Sequence, residues 1–277
     1  MSLTQPRPSM NARPASPTVV YESPTGPVPV LVHDEWVSRW PWLLQGTTTS
    51  GLTASSRRGP PFDLGLFSGG SPEAAVRDSW RALAETVGVD TLVHASQPHG
   101  SEVRLWSRAS GSDGRPAVPC LVAPCDGHAT RLPGVVLAVT VADCVPVFLV
   151  DESAPAVSMV HAGWRGAAAG ILETALETMH HHFGTRPEDV WVHLGPSICG
   201  VCYEVGPEVH AALGQPTPDG PEPVDLKAAL ACRAGAAGVR PDRLTASGHC
   251  TLCGDAGLFS HRGGDPQRQA GFLGIRS

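Results

Sequence analysis

The seventeen residues GVVLAVTVADCVPVFLV (134–150) limit the possible folds more than any other stretch of this chain. Valine dominates it, and β-branched side chains lose rotamer freedom in a helix but pack well on a pleated surface. Two β-branched runs, 135–141 and 145–150, are joined by Ala142-Asp143-Cys144, and Asp143 and Pro146 interrupt the apolar character. A membrane-spanning helix needs about 20 consecutive apolar residues. Paired strands of a buried core therefore account for the run better than a span. PAVSMV (155–160) reads as a third short strand and runs straight into HAGWRG (161–166). Glycine in such a turn costs backbone entropy, and Trp and Arg are bulky for a tight connection, so the segment asks for a reason beyond chain reversal.

The flanking sequence supplies helices. Residues 71–88 carry a Ser N-cap signal, then apolar residues at Ala75, Val76, Leu83 and Val87, which predicts an amphipathic helix. After the turn, AAAGILETALETMHHH places Ile171, Leu172, Ala175, Leu176 and Met179 on one helical face. VWVHLG (190–195) reads as a strand, 224–239 as a helix, and the C-terminal GLFSHRGGDPQRQAGFLGI as a return to strand. Interleaved helices and hairpin-like strands favour an α/β (α+β) fold over a doubly wound one: a single domain of mixed β-sheets with packed helices. The loops RASGSDGRPA (108–117) and GQPTPDGPEP (214–223) are too short to be interdomain linkers. Residues 1–28, rich in Pro and Ser, read as a disordered leader, with the folded domain at 29–277.

At 42% hydrophobic and 17% charged residues over 277 positions, the chain can bury a sizeable core. Its net charge of −6 with no basic stripe argues against a nucleic-acid surface, which needs clustered Lys and Arg. The first residues lack an apolar signal region, so a cytoplasmic location with no membrane association is expected. Eight cysteines are then expected as thiols or metal ligands rather than disulfides. Two C-x-x-C pairs occur, Cys199/Cys202 and Cys250/Cys253. The roughly fifty residues between them are wider than the ~15–20 of a zinc ribbon, so spacing alone gives little reason to join them.

Three glycine-containing or rim-forming segments carry metal-competent side chains: QPHG (97–100), ADC (142–144) and HAGWRG. If the strands that end in these segments are neighbours, His99, Cys144 and His161 project from one rim. A thiolate and two imidazoles are good Zn²⁺ ligands, and three protein ligands leave a position for water, whose pKa a bound Zn²⁺ lowers towards ~7. Asp143 and Arg165 could support the ligands or meet substrate. The plainer alternatives are a buried strand-end Cys and a hydrogen-bonded turn His. His180, His181 and His182 end a helix, where imidazolium suits the dipole, and need no metal.

QPHGSEV, VADCVPVFLVD, VHAGWRGAAAG, LGPSICGVCYEVG and FSHRGG follow in order from about residue 30 to the C-terminus. Together they resemble the laccase-domain family, once described as multicopper polyphenol oxidases and now regarded as zinc-dependent purine nucleoside phosphorylases that also deaminate adenosine. The resemblance implies zinc on His99, Cys144 and His161, with these residues catalytic. It implies adenosine, inosine, guanosine or methylthioadenosine as nucleoside, with phosphate as co-substrate. It also implies a mixed α/β fold similar to a cysteine-hydrolase-like toxin deamidase. Copper is disfavoured, because one three-ligand N/S cluster does not supply the His-rich centres of a laccase. Phosphate would need cations, and a guanidinium fork fits its oxygens, which makes Arg165, Arg262 and Arg268 the candidates. Cys202, within CYEVG, is a further candidate beside the zinc or substrate, or else a packed thiol.

The chain departs from the family pattern at Asp63, where PFDLGLF replaces an asparagine, and at Arg262, the sole arginine of SHRGG. GTTTSGL lacks an arginine, although Arg57 and Arg58 follow nearby. Two other readings stay open: a metal-free hydrolase or deamidase with Cys144 as nucleophile and His161 as base, and a factor in peptidoglycan maturation. The oligomeric state is not encoded legibly.

Overall fold

The computed structural model describes residues 16–26, 28–51, 60–107 and 118–277. The 108–117 loop, Arg57, Arg58 and the first fifteen residues of the expected leader lie outside the described residues.

In chain order the first strands are β1 (Thr18–Val20), β2 (Ser23–Thr25), β3 (Val30–Val32) and β4 (Leu43–Thr48), with helix α1 (Asp34–Arg39) before β4. Helix α2 (Glu73–Val87) leads to β5 (Thr91–Ala95), β6 (Val103–Trp106), β7 (Cys120–Val122) and β8 (Gly127–Thr130). The long central strands are β9 (Val135–Val141), β10 (Val145–Asp151) and β11 (Ala156–Ala162). Helices α3 (Trp164–Ala168) and α4 (Ile171–Phe183) follow, then β12 (Val190–Leu194) and β13 (Glu204–Val205). The chain closes with α5 (Pro207–Ala212), β14 (Glu222–Pro223), α6 (Leu226–Ala236), β15 (Leu244–Ser247) and β16 (Gln269–Ile275).

Two seven-stranded mixed sheets result, in the orders β1-β15-β12-β10-β11-β8-β6 and β2-β3-β4-β16-β9-β5-β7. The molecule is thus a mixed α/β single domain, as the sequence predicts. Helices lie on the outer faces. Side-chain alternation along β10 explains the layering: Val145, Val147 and Leu149 pack with Leu172 of α4 and Leu230 of α6. Phe148 and Val150 point the other way, against Val139 of β9 and Leu273 of β16. On the far side, Val136, Ala138 and Phe272 meet Val76, Trp80 and Leu83 of α2. Strands buried on both faces need the near-continuous apolar runs seen at 134–150.

The structure corrects one reading of that run. β9 and β10 do not pair with each other: β9 pairs with β16 and β5, and β10 with β11 and β12. The ADC segment carries the chain from one sheet to the other, with Asp143 at φ 84°. Apolar periodicity specifies burial but not which neighbour a strand takes. A second correction concerns the leader. β1 pairs with β15 and β2 with β3. Between them Glu22 is buried, accepting a hydrogen bond from Ser247 Oγ (2.7 Å) and lying 2.9 Å from His193 Nε2. Paired structure therefore begins before residue 28.

Helix α4 buries the five residues its periodicity predicts. The pattern is broken at Gly170, whose φ of 87° separates α3 from α4. Helix α2 buries Trp80 and Ala84 with Val76 and Leu83, whereas Ala75 is exposed and Val87 only half-buried, so its buried face is rotated from the one predicted. Its N-cap position falls on Pro72 without a side-chain cap, so Ser71 does not serve there. The C-terminal return to strand is confined to β16. Among the described residues no helix is long and apolar enough to cross a membrane.

Candidate metal centre and pocket

The antiparallel pairing of β10 with β11 sets Val145 opposite Ala162 and Pro146 opposite His161. The start of one strand thus meets the end of the other, which brings Cys144 and His161 to one rim. His161 shares its face with Val157 and Met159, so it looks into the space between the two sheets. His99 arrives from the other sheet, in the loop after β5, and its ring stands edge-on to that of His161 at 4.8 Å between centroids. The donor atoms of His99, Cys144 and His161 all lie within 4.8 Å of one another.

Asp126, fully buried just before β8, organises this group. One carboxylate oxygen accepts the His99 amide (3.0 Å) and faces His161 Nδ1 (2.9 Å), and the other accepts the Gly100 amide (2.6 Å). A carboxylate only accepts, so Nδ1 of His161 carries the proton and Nε2 is left as the donor atom for a metal. The same contacts hold His99 at φ 64°, a left-handed conformation that a non-glycine residue keeps only when its surroundings enforce it. The sequence reading does not name Asp126; its segment, CDGH at 125–128, lies far from all three motifs in the chain.

The glycines of HAGWRG now have a cause. A Cβ on Gly163 would stand 3.0 Å from Cys144 Sγ and 3.2 Å from His99, and one on Gly166 would meet the Gly100 carbonyl at 2.8 Å. Both are requirements of close approach around the site. Trp164 packs with Tyr203 against Val205, Val209 and Val224.

Burial pushes the Cys144 thiol up, but the charge and hydrogen bond of His161, with a hydrogen bond from His99, outweigh it and bring it down to about 6. Burial pushes His161 down, yet Cys144 and Asp126 raise it to about 9. With no metal bound, each group's shift favours the charged form of the other, thiolate on Cys144 and imidazolium on His161. A thiolate, an oriented imidazole and a second, exposed imidazole form a donor set that suits Zn²⁺. Among the described residues the only other metal-competent group contains four cysteines and no histidine. The residues present thus fit one borderline-soft ion better than several copper centres.

A cavity of about 380 Å³ opens beside the trio, lined by Phe67, Gln97, Thr140, His261 and Arg268 among others. Of the three arginines expected at phosphate, Arg268 alone lines it, its guanidinium now donating to the carbonyls of Asp265 (3.1 Å) and Gln267 (2.7 Å). Arg165 is exposed and lies over the Trp164 ring at 4.3 Å. Arg262 donates to the Glu204 carbonyl and sits 5.5 Å from the Tyr203 ring. Cys202 gathers with Cys199, Cys250 and Cys253 rather than with the trio. Asp63 accepts from the amides of Gly65 (2.8 Å) and Arg268 (2.9 Å), so it fixes the backbone under Arg268. Asp143 accepts from Thr251 (2.6 Å), Ser260 (2.8 Å) and the Arg262 amide (2.6 Å), which makes it an anchor for the 251–262 loop. Phe67 and His261 are pocket residues that the sequence reading did not single out, although both lie inside segments it quotes, PFDLGLF and FSHRGG; there the signal fell on Asp63 and Arg262 instead.

Two mixed sheets with outer helices, and a His–Cys–His group where their rims meet, define an α/β protein with a metal-competent pocket. The chain belongs to the family described as multi-copper polyphenol oxidoreductase laccase, which matches residues 46–276. It is 33% identical over 261 residues to the purine nucleoside phosphorylase YlmD of Geobacillus stearothermophilus, covering 85% of this chain and 94% of that one. It is 34% identical over 209 residues to adenosine deaminase RL5 from an unknown prokaryotic organism, covering 70% and 78% respectively. The crystal structure of the hypothetical protein YfiH of Bacillus licheniformis superposes with a TM-score of 0.76 at 26% identity, covering 91% of this chain and 97% of that one.

Proposed function

We propose that this chain is a zinc-dependent purine nucleoside phosphorylase that also deaminates adenosine. The observation that carries the reading is the convergence of His99, Cys144 and His161 within 4.8 Å at the mouth of a ligand-sized cavity. The names of the relatives supply the substrate class: a purine nucleoside, with phosphate for phosphorolysis. His99, Cys144 and His161 would hold the metal, whose role when bound is to act as a Lewis acid and to lower the pKa of water.

The chain's own groups divide the remaining work. Asp126 keeps the His161 proton on Nδ1 and so keeps Nε2 free. Phe67 is 58% exposed at the cavity, an aromatic face against which a purine can stack. Gln97 is committed to Thr140 through both its amide oxygen and its amide nitrogen, at 2.8 Å each, so it shapes the wall rather than reading the ligand. Among the described residues lining the cavity, Arg268 is the one guanidinium available to phosphate, exchanging backbone carbonyls for phosphate oxygens.

Incubation with adenosine and phosphate, with separation of adenine, inosine and hypoxanthine, tests the proposal. Zinc-loaded protein that yields no product from any purine nucleoside would sink it. His161→Ala should lose the metal at this site and both activities together, because one of three ligands is gone.

The Cys144–His161 pair favours a second reading, a metal-free hydrolase with Cys144 as nucleophile. Protein stripped of metal that still cleaves an amide substrate, and gains nothing from added zinc, would favour that reading instead. No feature of the fold speaks for the peptidoglycan role.

A further inference from the structure

The two C-x-x-C pairs, too far apart in sequence to be joined by spacing, meet in space. The Sγ atoms of Cys199, Cys202, Cys250 and Cys253 all lie within 4.8 Å of one another, and Cys199 and Cys253 are 3.9 Å apart. A disulfide would need about 2.05 Å. A tetrahedral ion with Zn–S bonds of about 2.3 Å sets its sulfurs about 3.8 Å apart, close to the separation seen. All four cysteines are free thiols.

The backbone around the cluster is shaped for thiolates. The amides of Cys199 (3.3 Å) and Cys253 (3.5 Å) both point at Cys250 Sγ. The amide of Gly254 turns back onto the Cys250 carbonyl at 3.1 Å, and a Cβ at 254 would stand 2.4 Å from that oxygen. The opposite turn closes in the same way, with the Cys202 and Tyr203 amides on the Cys199 carbonyl at 3.0 and 3.1 Å. At the tips, Val201 is 86% and Leu252 38% exposed, so apolar burial does not hold these turns together. A bridge between Ser197 and Cys250, and the Thr251 amide on the Ser197 carbonyl (3.1 Å), set the two loops side by side.

We propose that Cys199, Cys202, Cys250 and Cys253 form a second metal site that binds one structural Zn²⁺ through four thiolates. Four protein ligands leave no position for water, so the site is closed and holds loops together rather than taking part in chemistry. Its placement explains what it would hold. The 199–202 turn runs into Tyr203 and Glu204, which support Arg262, and the 250–253 turn contains Thr251, which bonds to Asp143 beside Cys144. The clip therefore ties two loops that flank the His–Cys–His rim.

The test counts zinc in full-length protein prepared under reducing conditions and equilibrated with ZnCl₂ before desalting. Two zinc ions per chain are expected. His161→Ala should retain one, and X-ray absorption of that ion should give four sulfurs at about 2.3 Å with no nitrogen. Cys253→Ser, a change at an exposed position, should lose the sulfur-only ion while the other stays. Two results would overturn the proposal: a His161→Ala protein with no zinc, or iron in place of zinc. The readout is metal and not turnover, so a failure of the nucleoside assay leaves this count unaffected, and the reverse also holds.

Discussion

Asp126 decides how well the trio can act as a ligand set. It fixes the tautomer of His161 and the left-handed turn of His99 with a single buried carboxylate. Asp126→Asn keeps the volume but turns an amide NH₂ towards one of these donors, so zinc affinity at the trio should fall by about 10- to 100-fold. Competition with a chromophoric chelator measures this. Unchanged affinity would show that packing alone orients the ligands. The motifs QPHG, ADC and HAGWRG were legible in sequence because each metal-competent residue sits beside a glycine or strand end with a chemical identity of its own. Asp126 was not, since its role depends on contacts made 27 and 35 residues away.

At the scale of elements, the β9–β10 connection does what neither strand does alone. It crosses between sheets, places Cys144 at the rim and uses Asp143 to hold the 251–262 loop. Asp143→Ala leaves two hydroxyls and an amide without an acceptor, and should destabilise the protein by at least about 1–3 kcal/mol. Asp143→Asn tolerates the positive φ and keeps one acceptor oxygen, so it should cost less. Urea titration of both variants checks the order; equal losses would mean that the hydrogen bonds to Asp143 contribute little. Helix α4 was readable residue by residue from its 3.6-residue period. The sheet crossing was not, because strands 135–141 and 145–151 look alike whichever sheet they join.

For the whole molecule, three buried histidines set a lower pH limit. Burial brings His33 and His94 down to about 4 and, with neighbouring charges, His128 to about 3. Above the ordinary histidine pKa near 6.5 these groups are neutral whether the chain is folded or not. As pH falls from about 6.5 towards 4, the unfolded chain takes up protons that the folded one refuses. Stability should then drop by up to about 1.4 kcal/mol per pH unit for each histidine. Thermal unfolding between pH 7 and 4.5 should show a steep fall in Tm. His94→Gln, which keeps a donor for the Ala138 carbonyl, should flatten the slope. The same slope in the variant would assign the acid sensitivity elsewhere.

By itself the sequence determined the fold class, the buried face of α4 and the three metal-competent residues, because periodicity and donor chemistry are local properties. Tertiary structure decided the rest. It chose the sheet each strand joins, set Asp126 behind His161, left Arg268 alone of three arginines at the cavity, and brought the two cysteine pairs together. The physical reason is common to all four: each depends on which chain segments, distant in sequence, share a buried face, and a local pattern records that a residue is buried without recording its neighbour.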